Sequence, residues 1–135
     1  MQELKSKNYT VRIIASGILE GFIQDRSSLE RNDFWEMKEM NLKLSGGLPY
    51  CIIVQTGYFV RISDEFKALT LEKNTDDKAL ARAILVNSLG HRIAGNFYVN
   101  FNKPQIKTRL FTERDDGIQW LKKQQTKRNP QVFGD

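Results

Sequence analysis

The chain has 135 residues, of which 40% are hydrophobic and 27% charged, and its formal net charge is +5. This length suits one domain with a real core, and the composition argues against wholesale disorder. No apolar run reaches transmembrane length, and the first residues lack the apolar core of a signal peptide. The single cysteine, Cys51, cannot form an internal disulfide, so we interpret it as a buried thiol in a cytoplasmic protein.

Basic residues are concentrated near the end of the chain. The last fourteen residues contain one acid and four basic residues: Lys122, Lys123, Lys127 and Arg128. A nucleic-acid-binding protein usually displays basic residues on a folded face, with aromatic residues among them. We therefore interpret this stretch as a solvated polar tail and expect no nucleic-acid partner. The predicted organisation is a single domain over residues 1–125 and a basic tail over residues 126–135.

The first elements predicted are two strands of a β-hairpin. Residues 10–14 and 18–23 are short β-rich runs, and Ser16-Gly17 between them is a turn signal. Gly21 in the second run indicates a bulge or a close contact with a neighbouring group.

A helix is predicted next. Ser27 and Glu30 have the spacing of a capping box, with Ser27 as the cap. The helix should extend to about Leu44 and stop at Ser45-Gly46-Gly47, because glycine adopts the left-handed conformation that ends helices. Its apolar residues recur at helical spacing and predict a face packed on the core: Phe34, Met37, Met40 or Asn41, and Leu44.

Two continuous apolar runs, residues 50–54 and 83–86, have no polar residue on either face. Such runs are typical of central parallel strands covered by helices on both sides. Between them we expect a loop or short extended piece over residues 58–62, a helix beginning after Ser63, and a helical turn over residues 78–82.

The remaining elements are a helix, a strand and a final helix. The first is predicted from four apolar residues spaced four apart: Leu89, Ile93, Phe97 and Phe101. Residues 107–111 read as a strand, and Thr112 as the cap of a last helix with Ile118 and Leu121 facing inward. The predicted fold is α/β: a single-domain, mixed but mostly parallel sheet of four to five strands flanked by helices. Residues 52–54 and 84–86 should be adjacent central strands, with the hairpin towards one edge.

Residue types that carry chemistry are sparse. There is one histidine, His91, so no set of zinc ligands can be assembled around it. Gly46-Gly47 lacks the spacing and the lysine of a phosphate loop. Asp76-Asp77 and Asp115-Asp116 lie where loops and helix starts favour acids. We predict no catalytic residue, no metal, no cofactor and no enzymatic activity.

The segment after the first central strand is the candidate recognition site. It combines aromatic, basic and helix-start residues: Tyr58, Phe59, Arg61, Ser63 and Asp64. Open α/β sheets place their sites at the carboxyl ends of strands, and a helix N-terminus can receive an anionic group. Two other interpretations stay open: the aromatic residues cover the sheet edge, and Ser63 is a plain N-cap.

Several motifs together resemble the SpoIIAA-like, STAS-type small proteins of bacteria. The resemblance spans residues 9–123, and its motifs are Leu44-Ser45-Gly46-Gly47, Pro49-Tyr50, the residues 83–88, Gly95-Asn96-Phe97, Asn102-Lys103-Pro104, and the residues 108–112 with Ile118, Trp120 and Leu121. It implies a compact α/β sheet flanked by helices and kinship with the CRAL-TRIO lipid-carrier fold. Antagonists of anti-sigma factors carry an Asp-Ser-x-Gly phosphorylation loop after a central strand. This chain lacks that motif, and Ser63 is the nearest serine by position.

Two functions follow from the resemblance. The first is a non-enzymatic, regulatory protein-interaction module of the bacterial cytoplasm, whose partner is another protein and which is free to form a homodimer. The alternative is a carrier of an apolar small molecule or lipid, for which Phe34, Met37, Phe97 and Phe101 would line a cavity.

Overall fold

A computed structural model describes residues 2–72, 78–86 and 106–128. Its elements, in chain order, are β1 (Glu3–Lys5), β2 (Tyr9–Ala15), β3 (Ile18–Ile23), β4 (Ser28–Leu29), α1 (Arg31–Ser45), β5 (Tyr50–Thr56), β6 (Arg61–Ile62), α2 (Asp64–Leu71), β7 (Ala79–Leu85), β8 (Lys107–Phe111) and α3 (Arg114–Arg128).

Six of the strands form one mixed sheet in the order β1-β2-β3-β5-β7-β8. The pairs β1–β2 and β2–β3 are antiparallel, whereas β3, β5, β7 and β8 run parallel to one another. The predicted mixed, mostly parallel α/β sheet is confirmed. The predicted number of four to five strands was too low. Strand β1 has the sequence Glu-Leu-Lys, which contains no apolar run from which a strand could be predicted.

The two continuous apolar runs are adjacent parallel strands, as predicted. Ile53 of β5 lies opposite Ala83 of β7, and Val54 lies opposite Ile84. Residues on the two faces of β5 enter different core clusters: Ile52 contributes to one and Ile53 to the other. Because both faces of β5 are covered, its sequence is continuously apolar rather than alternating.

A helix layer packs on each face of the sheet. On one face α1 and α2 cover a core that includes Tyr9 and Ile52, and the predicted apolar stripe of α1 packs against it through Phe34 and Met37. On the other face α3 packs over β5 and β7 and buries Leu121 completely. The hairpin lies towards the β1 edge, and Gly21 makes the predicted close contact, since a Cβ there would lie 2.8 Å from Cε1 of Tyr9.

Helix α1 begins later than predicted. Its N-cap is Glu30, whose backbone N–H donates to Oδ2 of Asp33 at 2.8 Å. Ser27 is instead a buried turn residue whose Oγ donates to the carbonyl oxygen of Gln24 at 2.7 Å. The cap is shifted because Ser28–Leu29 pairs in parallel with β6, and a paired strand cannot be the first turn of a helix. The predicted stop is confirmed, with Gly46 left-handed at φ 66°.

Three further predictions change at element boundaries. Residues 79–82 are part of β7 rather than a helical turn, because their backbone pairs with β5. The last helix begins at Arg114, so Glu113 rather than Thr112 directly precedes it. Helix α3 also continues to Arg128, beyond the expected boundary at residue 125. The basic residues that we assigned to a polar tail therefore lie on a helix.

Some predictions lie outside the described residues. These are the helix over residues 89–101, with His91, and the acid pair Asp76-Asp77. Within the described ranges, no helix is long and apolar enough to cross a membrane.

Candidate functional site

The predicted recognition segment lies at the carboxyl end of β5. Parallel strands of one sheet end at the same edge, so the loop after β5 (residues 57–60) lies beside the loop after β3 (residues 24–27). We call these two loops the β3 loop and the β5 loop. Both lead into the small parallel sheet of β4 and β6, which continues the pairing.

Hydrogen bonds join the two loops along their backbones. Oδ1 of Asp25 accepts from the backbone N–H of Tyr58 at 2.8 Å, and the backbone N–H of Arg26 donates to the carbonyl oxygen of Tyr58 at 2.7 Å. The N–H of Gly57 donates to the carbonyl oxygen of Ile23 at 2.8 Å. Only glycine fits at position 57, because a Cβ there would lie 2.7 Å from the backbone nitrogen of Asp25.

The side chains at the tip of the β5 loop point into solvent. Phe59 is 79% exposed and Tyr58 is 60% exposed. Ile62 on the neighbouring strand β6 is 38% exposed. An aromatic ring with that exposure contributes little to the core, so its packing does not explain its presence.

Two residues at this site have left-handed backbones although neither is glycine. Phe59 has φ 58° in the β5 loop and Arg26 has φ 61° in the β3 loop. Such a conformation is unfavourable for a bulky residue and persists only where the surrounding structure determines it. Here the hydrogen bonds between the loops hold the two residues in this conformation. The bond from the N–H of Arg26 to the carbonyl oxygen of Tyr58 involves one of them and lies next to the other, Phe59.

The segment after the loop tip, residues 60–63, is also held by core packing and by backbone hydrogen bonds. Val60 packs against the core, and the N–H of Arg61 donates to the carbonyl oxygen of Ser27 at 2.9 Å. The N–H of Ser63 donates to the carbonyl oxygen of Leu29 at 3.0 Å. The side chain of Arg61 is exposed, so a positive charge stands beside the two aromatic rings on a fixed backbone.

Ser63 is the N-cap of α2. Its Oγ accepts a hydrogen bond from the backbone N–H of Phe66 at 3.1 Å, and Phe66 is buried. Asp64 is exposed in the first turn, where the helix dipole favours a carboxylate. The predicted cap is confirmed, and the hydroxyl of Ser63 already has a structural partner.

Sequence reasoning missed two members of this site. Asp25 and Arg26 lie outside the predicted recognition segment, yet Asp25 holds the backbone of Tyr58 and Arg26 pairs with it across the two loops. No local pattern could have found them, because their role depends on β3 and β5 being parallel neighbours.

Metal-ligating side chains and the cysteine thiol are the remaining groups of chemical interest in the described chain. Among residues 2–72, 78–86 and 106–128, no group of three or more His, Cys, Asp or Glu side chains could hold a metal ion. Cys51 is fully buried, and burial raises the pKa of its thiol to about 11, which keeps it protonated. The predicted burial of this thiol is confirmed.

Comparison with solved structures supports the fold. The chain is similar to an uncharacterised protein of the DUF3478 family with a SpoIIAA-like fold from Shewanella loihica PV-4, at a TM-score of 0.61 and 15% sequence identity. The match covers 87% of this chain and 98% of that one. At this identity the similarity shows the fold alone, and that fold is SpoIIAA-like.

Comparison with curated proteins found no match. A family model, described as "Domain of unknown function (DUF7793)", matches residues 12–125, which include most of the hairpin, α1, both central strands and most of α3. The chain therefore belongs to the DUF7793 family.

Proposed function

We propose that this chain is a non-enzymatic, regulatory protein-interaction module of the bacterial cytoplasm. Its binding surface is formed by Tyr58 and Phe59 on the β5 loop and Arg61 on β6, with Ile62 and Arg26 beside them. We call this set the aromatic surface. The observation that carries the proposal is the exposure of Phe59 on a strained backbone held by hydrogen bonds.

The composition of the aromatic surface supports a protein partner. Tyrosine and arginine are enriched among residues that dominate binding energy at protein interfaces, and phenylalanine is enriched in interface cores. Burying an exposed Phe side chain contributes about 1.5–3 kcal/mol. Because the backbone is already fixed by Asp25 and Ile23, little of this free energy is lost in ordering the loop.

The alternative is the apolar-ligand carrier implied by the CRAL-TRIO resemblance. Two of the residues expected to line its cavity, Phe34 and Met37, pack against the core cluster instead. The ring of Phe34 also meets that of Phe66 edge-on at 5.7 Å between centroids. This packing supports the interaction module over the carrier. Phe97 and Phe101 lie outside the described residues.

A pull-down from native lysate tests the proposal. The wild-type chain is compared with the double variant Tyr58→Ala, Arg61→Ala, and with a matched control, Leu48→Ala, Lys43→Ala. The control truncates an exposed apolar residue on the α1–β5 connection and an exposed basic residue in the last turn of α1. Circular dichroism first confirms that all three are folded.

The expected result is selective loss of one partner by the Tyr58, Arg61 variant and its retention by the control. Retention of every wild-type partner by the Tyr58, Arg61 variant would contradict the proposal. An apolar probe such as a fluorescent fatty acid addresses the alternative: saturable binding of it by the wild-type chain would favour the carrier.

A further inference from the structure

The face of the molecule covered by α3 carries a concentration of positive charge. Apart from Arg12 and Arg114, which form ion pairs with Glu20, the exposed basic residues there are Lys107 and Arg109 on β8 and Lys122, Lys123, Lys127 and Arg128 on α3. We call these six residues the basic patch. They carry six positive charges, one more than the net charge of +5 for the whole chain, so the rest of the chain has a net charge of −1. The basic patch thus gathers six of the 21 basic residues of the chain on β8 and α3.

The two halves of the patch are adjacent in space. The ring of Phe111, at the end of β8, packs on Trp120 of α3 at 5.6 Å between centroids, and the guanidinium of Arg109 lies 5.3 Å from the Phe111 ring centroid. Residues two apart on a strand share a face, so Lys107 is on the same side as Arg109 and Phe111.

The direction of α3 brings its basic end to the end of the sheet where the parallel strands begin. Near its beginning, Gly117 lies against Phe111 and Ala83 at the carboxyl ends of the strands. Near its end, Nε2 of Gln125 donates to the carbonyl oxygen of Ser16, just before β3. The helix thus runs from the carboxyl ends of β7 and β8 towards the start of β3, so Lys127 lies at the end of the sheet where the parallel strands, β8 included, begin. The acids Asp115 and Asp116 are at the opposite end of the helix.

This arrangement contradicts the reason for which we expected no nucleic-acid partner. That expectation depended on the basic residues lying in an unfolded tail. Instead Lys122, Lys123, Lys127 and Arg128 lie on the outer side or end of an ordered helix beside a basic strand. We propose that the basic patch binds the phosphate backbone of a nucleic-acid duplex, without reading its sequence.

Three other anionic partners suit this face less well. The exposed large hydrophobic residues of the described chain lie elsewhere: Ile13, Trp35, Leu48, Tyr58, Phe59 and Ile62. An acidic protein segment would need such residues at the interface core, and lysine is depleted there. A membrane-surface helix inserts an apolar face, but the apolar side of α3 is buried on the sheet.

A single strand is also less suitable than a duplex. Proteins that bind single strands stack bases on exposed aromatic rings. The aromatic rings of this face, Phe111 and Trp120, are half-buried and pack on each other. Duplex backbones require only suitably placed cations, which this face supplies, and interfaces with them are polar and strongly positive.

The test is fluorescence anisotropy of a labelled DNA duplex of about 20 base pairs, titrated with the full chain between about 50 and 200 mM salt. The patch variant is Lys123→Gln, Lys127→Gln, and its matched control is Lys5→Gln, Lys7→Gln, which removes the same charge at the β1 edge of the sheet. All four lysines are exposed, and circular dichroism confirms the fold of each protein.

The wild type should bind with a strong salt dependence. The slope of log affinity against log salt should be shallower by about two in the patch variant and unchanged in the control, since each phosphate contact contributes about 0.9. A Lys107→Gln variant tests the strand half separately, and its slope should fall by about one. A duplex RNA of the same length shows which nucleic acid is preferred, and binding of either supports the proposal.

Four outcomes would overturn this inference. The first is no wild-type binding at the lowest salt. The second is an equal loss in the patch variant and the control, which would mean that net charge alone is responsible. The third is tighter binding of the single-stranded oligonucleotide than of the duplex. The fourth is tighter binding of poly-glutamate or of anionic vesicles, which would assign the patch to a protein or to a membrane surface. The aromatic surface is not involved in any of these measurements, so the two proposals fail independently.

Discussion

The carboxylate of Asp25 accepts a hydrogen bond from the backbone N–H of Tyr58 at 2.8 Å, across 33 residues of chain. It holds the β5 loop against the β3 loop and fixes the direction in which Tyr58 and Phe59 project. The residues that would meet a partner are thus positioned by one that is remote in sequence.

Replacing Asp25 distinguishes its effect on the position of the β5 loop from its effect on global stability. Asp25→Ala should accelerate hydrogen exchange of the Tyr58 amide and weaken partner binding, while global stability falls by only about 1 kcal/mol, as for one hydrogen bond. Asp25→Asn keeps an acceptor oxygen and should retain most of the protection. Unchanged exchange of the Tyr58 amide in Asp25→Ala would show that the loop is held by other contacts.

Substitutions of Ser63 distinguish a helix N-cap from a phosphorylation switch. Ser63→Ala removes the acceptor for the Phe66 N–H and should lower the free energy of unfolding by about 1 kcal/mol in urea denaturation. Ser63→Asp should preserve stability, because aspartate is an equally good cap and a negative charge is favoured there. If Ser63 also acts as a switch, Ser63→Asp should change partner binding at constant stability. Binding equal to wild type would leave it as a cap alone.

Gly117 of α3 is in contact with three core side chains. A Cβ there would lie 3.0 Å from Cδ1 of Ile53 and 3.5 Å from Cβ of Ala83. Alanine gains about 1 kcal/mol of helix propensity, and the end of the Ile53 side chain can shift by a few tenths of an ångström. We expect Gly117→Ala to be neutral or stabilising in thermal denaturation. Gly117→Val should destabilise by about 1–3 kcal/mol through overpacking, and a stable valine variant would contradict this close contact.

Adjacent residues of β7 should respond differently to a carboxylate. Ala83 is completely buried under α3, so Ala83→Asp places an unpaired charge in the core and should cost several kcal/mol, enough to unfold a marginal domain. Ile84 lies on the other face and is half-buried, so Ile84→Asp should cost less. Urea midpoints of the two variants give the order, and the opposite order would contradict the burial assigned to β7.

Glu20 bridges two arginines on the α3 side of the sheet. Burial alone would raise the pKa of its carboxyl, but hydrogen bonds from Arg114 and Arg12 outweigh burial and hold the pKa below its ordinary value of 4.5. A lowered folded-state pKa contributes stability above the unfolded pKa and loses it as the pH falls through the folded one. The stability difference between wild type and Glu20→Gln should therefore be constant near neutral pH and shrink below about pH 4.5.

Guanidinium or urea denaturation over a pH series measures this difference. A Glu39→Gln variant, which changes an exposed carboxylate on α1, serves as the control for general charge effects. A wild-type advantage over Glu20→Gln that does not change down to pH 3 would show that the arginine pairs have no net effect on the titration of Glu20.

Local patterns in the sequence were enough to predict the elements whose stabilising groups are close in the chain. The continuous apolar runs of β5 and β7 required burial on both faces and hence central parallel strands. Gly46 ends α1 because its left-handed conformation is intrinsic to glycine, and Ser63 caps α2 through a hydrogen bond that spans three residues. Tyr58, Phe59 and Arg61 could be nominated because the end of a parallel strand is a frequent binding position.

Only the tertiary structure decided the features that depend on pairing between distant segments. Strand β1 is polar and forms because the backbone of β2 offers it a partner, and Ser28–Leu29 is extended because β6 lies beside it, which moves the cap of α1 to Glu30. Asp25 and Arg26 join the aromatic surface because β3 and β5 end at one edge. Lys107 and Lys127 lie at the same end of the sheet because α3 runs in the direction opposite to the parallel strands. The residue types in these places are visible in the sequence, but their neighbours are chosen by the free energy of the whole fold, which no local pattern contains.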